Sequence, residues 1–174
     1  MTTPQQALEF YRSDDLIALG MAADGVRRSL HPEGLVSYSM EAIGDADRTA
    51  VLTLEFRAQE PLDGIVDRLL GVRRVQEDGG VLLAVMPRSD GTAVEHLKIV
   101  ALTRIYLDNV LHVQASWQGG LKIGQVALRF GANDINGAEA GSVRATEEDI
   151  RRIIRDAGFV PKQRDALFRT YSPI

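Results

Sequence analysis

The chain has 174 residues, 45% of them apolar, 25% charged and 6% aromatic, and a formal net charge of −4. This is the composition of one globular domain with a proper core. Its mild acidity excludes a general electrostatic grip on nucleic acid, which needs concentrated Lys and Arg; no apolar run approaches the roughly 18 residues of a membrane helix, and the start carries no leader pattern, so a cytoplasmic protein is expected.

In chain order, Ser13 can cap a helix with Asp14 and Asp15 in its first turn. Leu16, Leu19, Ala23, Val26 and Leu30 form one apolar stripe, and His31-Pro-Glu-Gly34 ends it. Leu35–Tyr38 is a short strand, Ser39–Thr49 a loop and Ala50–Phe56 a strand. Pro61 opens a helix striped by Leu62, Ile65, Leu69 and Val72, which Asp78-Gly-Gly80 stops. Val81–Met86, bounded by Gly80 and Pro87, reads as a strand buried on both faces. Thr92 and Glu95 form a capping box for a helix running to about Leu107, and Val110–Ser116 is another buried strand.

Gly119-Gly120 leads into a helix closed by Gly131, and Ala132–Ile135 is a short strand. Thr146 caps a last helix striped by Ile150, Ile153, Ile154 and Ala157, with Gly158 as its left-handed stop. The alternation of strands and helices predicts βαβ units on a parallel sheet: one α/β domain over 1–174, with an N-terminal helix in 1–34, βα units in 50–137 and a C-terminal helix and tail in 146–174.

The chemistry is read first by exclusion. With no cysteine there are no disulfides, thiolate zinc sites, cysteine nucleophiles or cysteine-held clusters in this chain. His31, His96 and His112 lie in no metal-binding spacing, no Gly-x-Ser-x-Gly elbow occurs, and Gly119–Gly124 matches no phosphate-cradling motif. No catalytic or metal-ligating residue is therefore assigned. Asp108 or Asp134 could serve as a base, but nothing is spaced to raise the pKa of either. Residues 144–169 hold seven Lys or Arg against five Asp or Glu, a solvated face rather than a polyanion site. Two stretches are denser in polar groups: Gln114-Ala-Ser-Trp117 at the carboxyl end of a strand, and Gly131-Ala-Asn-Asp134 after the next helix. Ligands of parallel α/β folds sit beyond the carboxyl ends of the strands, so Gln114, Ser116, Trp117, Asn133 and Asp134 are the candidate ligand-binding set. Amides would read a polar small molecule and Trp117 a flat ring. The plainer reading makes these residues helix caps and turn closers.

Leu107-Asp-Asn109, Gln114–Trp117, Gly131–Asp134 and Ala157-Gly-Phe-Val-Pro-Lys-Gln-Arg-Asp165 resemble the C-terminal half of the radical S-adenosylmethionine enzymes of futalosine-route menaquinone biosynthesis, nearest the cyclic dehypoxanthinyl futalosine synthases. Ala22–Arg28 with His31–Gly34, and Leu69–Gly80, resemble the same enzymes in the same order. The resemblance implies barrel-derived architecture, a nucleoside-type ligand, and a [4Fe–4S] cluster with S-adenosylmethionine as cofactors. The departures are as plain. The family's three-cysteine loop is absent, about half of its barrel is missing between Tyr38 and Ala50, and Arg57-Ala58 stands where the family has Gly-His.

The expectation is thus a half-barrel or open parallel sheet with flanking helices: a truncated homologue without radical chemistry of its own, without a cofactor in this chain, and binding a nucleoside-type ligand or a partner. The alternative is an interaction or relic half-barrel. Because a half-barrel leaves a sheet edge open, a homo-oligomer or a partner chain closing it is expected.

Overall fold

The computed structural model describes residues 3–41, 51–117, 119–136 and 145–169. Its elements are α1 (Pro4–Arg12), α2 (Leu16–Leu30), β1 (Leu35–Tyr38), β2 (Val51–Phe56), α3 (Leu62–Glu77), β3 (Ala84–Ser89), α4 (Ala93–Tyr106), β4 (His112–Ala115), α5 (Leu121–Ala127) with a 3-10 turn at Leu128–Phe130, β5 (Asp134–Ile135), α6 (Glu147–Asp156) and β6 (Val160–Gln163). The strands form one all-parallel sheet in the order β2-β3-β4-β5-β1-β6. The α/β reading and the partial-barrel architecture both stand. No helix among the described residues is long and apolar enough to cross a membrane.

Local chemistry explains most boundaries. Thr92 Oγ1 accepts from the Glu95 N–H at 3.2 Å while Glu95 Oε2 accepts from the Thr92 N–H at 2.7 Å, the reciprocal box read from the sequence. Thr146 and Asp149 repeat it on α6. Gly158 takes φ +82°, a left-handed stop that an L side chain resists. Gly131 has a second reason to be glycine. At φ +95° a Cβ there would also meet the Arg104 side chain at 2.7 Å.

Four expectations need correction. Helix α1 went unread, although Thr3 and Gln6 form a capping box around Pro4 at the first helical position. The cap of α2 is Asp15, whose carboxylate accepts from the Ala18 N–H at 2.9 Å, not Ser13. Strand β3 begins at Ala84 and runs through Pro87. Its pairing with β4 involves only Ala84 and Val85, so Pro87 costs that ladder no bond. Residues 160–163, expected as tail, are strand β6 beside β1. The start of the second strand at Ala50 and most of the Ser39–Thr49 loop lie outside the described residues.

The faces of the sheet follow from its register. Val36, Tyr38, Val113, Ala115 and Ile135 pack in one apolar cluster with Ile150, Ile153 and Ile154 of α6 and Ala127 of α5, while Leu54, Phe56 and Val85 join Ile65 and Leu69 of α3 in a second. The alternate residues then face the opposite, inner side. On that inner face Gln114, Asp134, Ser37 and Lys162 pair in one row across β4, β5, β1 and β6, Thr53 pairs with Met86 across β2 and β3, and Glu55 and Arg88 pair one row nearer the carboxyl ends.

Candidate functional site

Three polar assemblies occupy the inner face and its rims. The first is centred on Asp134, which is fully buried, as is Arg164. Arg164 donates from Nε to Oδ1 at 2.7 Å and from Nη2 to Oδ2 at 2.6 Å, Ser37 Oγ donates to Oδ1 at 2.5 Å, and Gln114 Nε2 donates to Oδ2 at 2.7 Å. One carboxylate thereby ties β1, β4, β5 and the end of β6 together. The Arg164 guanidinium lies 3.8 Å over the Phe168 ring, and that ring stacks on His112 at 4.5 Å. Phe168 takes φ +60°, so the turn that carries it is held in a conformation uncommon for a non-glycine residue.

At the amino ends of the strands Asn133 joins a different set of groups. Its Oδ1 accepts from the Val113 N–H at 3.0 Å and from Arg104 Nη2 at 2.6 Å, which turns Nδ2 toward His112 Nδ1 at 2.9 Å and His31 Nε2 at 3.0 Å. Leu111 O lies 2.8 Å from His31 Nε2, so that nitrogen is best served by carrying its proton to the carbonyl. His112 Nδ1 then accepts from Asn133. Burial pulls the His112 pKa from its ordinary 6.5 to about 4, opposed by Asp134 and aided by His31, Arg104 and Arg164. Arg104 is fully buried with carbonyls and the Asn133 oxygen as its acceptors, and burial lowers its pKa to about 9.

The third assembly is open. A cleft of about 560 Å³ lies over the carboxyl ends of β2, β3 and β4, lined among others by Glu55, Arg88, Asp90, His96 and Ser116. Arg88 Nη1 stands 3.6 Å from Glu55 Oε1 there. Asp90 Oδ1 accepts from the Ala58 N–H at 2.5 Å, and burial alone lowers the pKa of His96. A second hollow shares Glu55 and Asp90 and continues past Arg57 and Arg68.

The five residues singled out in the sequence therefore separate. Gln114 and Asp134 touch, Ser116 lines the cleft, and Asn133 faces the histidines at the other end of the sheet. Trp117, only 2% exposed, packs in the apolar cluster of the helix layer. Asp108, weighed as a base, pairs with Arg73 at 2.5 Å. Sequence reasoning missed Arg164, Phe168, Arg88 and His96. The Gln163-Arg164-Asp165 run was the one signal that could have pointed to the first two.

Residues 73–173 match the family model described as the CofH/MqnC C-terminal region. The chain belongs to this family. It is 33% identical over 121 residues to the cyclic dehypoxanthine futalosine synthase of Streptomyces coelicolor, an alignment covering 57% of this chain and 30% of that protein. The 5-amino-6-(D-ribitylamino)uracil–L-tyrosine 4-hydroxyphenyl transferase of Methanothermobacter thermautotrophicus is 30% identical over 205 aligned positions, 96% of this chain and 56% of that protein. The aminodeoxyfutalosine synthase of Thermus thermophilus is 30% identical over 138, 63% and 37%. The chain thus spans between about a third and just over half of the length of these relatives.

The cluster that the family resemblance implies does not fit these residues. Its irons need thiolates, the 174 residues contain no cysteine, and the described residues hold no group of three or more His, Asp or Glu able to bind a metal.

Proposed function

We propose that this chain is a ligand-binding, non-radical member of the family, a truncated homologue that seats a polar, sugar- or ribityl-bearing small molecule of the nucleoside type in the cleft over β2, β3 and β4. The observation that supports this is the cleft's construction. Three consecutive strands, the first turn of α4 and the Gly119 loop each contribute to one hollow at the end of a parallel sheet where such ligands sit. The names of the relatives narrow the chemistry to two arms, a futalosine-type nucleoside or a ribitylaminouracil. Cleavage of S-adenosylmethionine is not assigned to the chain, for want of thiolates.

Thermal unfolding with dehypoxanthine futalosine, 5-amino-6-(D-ribitylamino)uracil and S-adenosylmethionine tests this reading. Binding to the folded state at a hundredfold excess over Kd adds about 2.7 kcal/mol, which for a chain of this size raises the midpoint by roughly 5–10 °C. A rise with one of the first two compounds and none with S-adenosylmethionine is expected; no rise with either sinks the reading.

A second reading has its own observation. Among the described strands β2 pairs only with β3 and β6 only with β1, which leaves two sheet edges. A homo-oligomer or a partner chain would cover them. Light scattering that gives a dimer mass, together with an unshifted midpoint, would favour this assembly role.

A further inference from the structure

We infer that the side-chain oxygen of Gln114 is the acceptor that reads the ligand of the cleft, taking one N–H or O–H that the ligand extends past Ser116. The inference rests on the cleft being a ligand site, and it names an atom and a chemistry for it. Gln114 is fully buried on the inner face, and its Nε2 donates to Asp134 Oδ2 at 2.7 Å. A carboxylate only accepts, so the amide nitrogen must face Asp134 and the oxygen must point away. That oxygen has no hydrogen-bond partner, although buried acceptors are nearly always satisfied.

Asp134 itself is not free to read anything. Ser37, Gln114 and both nitrogens of Arg164 fill its two oxygens. The amide is thereby clamped in one orientation with a single vacancy, and that vacancy demands a donor. Ser116 follows Gln114 by two residues, just past the end of β4, and lines the cleft. At the rise of an extended chain Gln114 lies about 7 Å below it, behind the residues that line the cleft, so only a ligand group that enters past Ser116 would meet its oxygen. The other orphaned acceptor among the described residues, Asn109 Oδ1, sits in the turn after α4 at the opposite end of the sheet. It supplies the control.

The test measures apparent Kd from the concentration dependence of the unfolding midpoint, with dehypoxanthine futalosine and with 5-amino-6-(D-ribitylamino)uracil as probes. In Gln114→Met, which keeps the length and removes the amide, the bound probe weakens about tenfold or more, as expected for loss of one buried hydrogen-bond partner. In Asn109→Ala the unliganded midpoint falls while Kd stays within about twofold. A Gln114→Met protein that binds the probe as wild type does overturns the inference while leaving the cleft reading intact, and makes the vacancy a water site. A wild-type protein that binds neither probe overturns both. Should Gln114→Met fail to fold, Gln114→Asn keeps the amide but withdraws it by one methylene, and the same tenfold loss is expected.

Discussion

The sheet is built differently at its two flanks. Around Asp134 every strong charge is buried and matched: a bidentate guanidinium, a hydroxyl and an amide meet one carboxylate. Over β2 and β3 the charges are exposed or half-exposed, and the Arg88–Glu55 pair, 3.6 Å apart, opens to solvent. A saturated buried group can hold strands together but has nothing left for a ligand, whereas a solvent-exposed pair costs little to rearrange. The first flank therefore reads as structure, and the second is the surface proposed to take a ligand. The Gln114 oxygen stands out in the first flank as a buried acceptor without a partner.

The sharpest way to break that contrast is to remove one partner from the saturated side. Arg164→Met strands the Asp134 carboxylate in the interior and is expected to cost about 3–5 kcal/mol in urea unfolding. Arg164→Met with Asp134→Leu should recover much of it, because the interior then holds no unpaired charge. A single variant that loses under 1 kcal/mol would mean that the pair is not the clamp of this flank.

Acid probes the same flank more gently. His112 has a folded pKa of about 4 against its ordinary 6.5, so below pH 6.5 the unfolded chain takes up a proton that the folded chain refuses. Stability present above pH 6.5 is then lost as the pH falls toward 4, by up to about 3 kcal/mol. In His112→Gln, which keeps an acceptor for Asn133, that part of the pH slope should vanish from equilibrium unfolding curves. A slope that survives belongs to other groups.

The smallest effect is expected at the open flank. Thr92→Ala removes the cap of α4 beside the cleft and should cost about 1 kcal/mol, visible as a slightly lower urea midpoint with unchanged slope.

Elements whose chemistry is local were legible in the sequence: the capping boxes of Thr92 and Thr146, the stops at Gly131 and Gly158, and the stripe Ile150–Ile153–Ile154 all stand in the structure. Helix α1 carried a readable box in Thr3-Pro4-Gln5-Gln6, but its apolar side, Ala7 buried with Leu8, Phe10 and Tyr11 half-buried, is short and mixed with polar residues. Strand β6 had no signal of its own. Val-Pro-Lys-Gln has no alternation, and it is a strand because β1 offers it an edge.

The candidate site was legible as residue types and not as directions. One step of register decides that Gln114 faces inward while Ala115 and Trp117 face the helices, and Asn133 and Asp134, adjacent in sequence, end in separate networks. Arg164 could not be assigned to Asp134 from sequence, because nothing local joins residues 30 positions apart.

The place of β1 in the sheet has a consequence for the order in which the molecule can be made. β1 lies between β5 and β6, and Ser37 meets Asp134 across 97 residues. At translation rates of about 5–20 residues per second, β1 leaves the ribosome roughly 5–20 s before its first neighbour exists. Through that interval β1 must wait without a neighbouring strand while β2, α3, β3, α4 and β4 assemble in sequence and α2 packs on α1 and α4. The last strand to emerge is the one that locks the first in place.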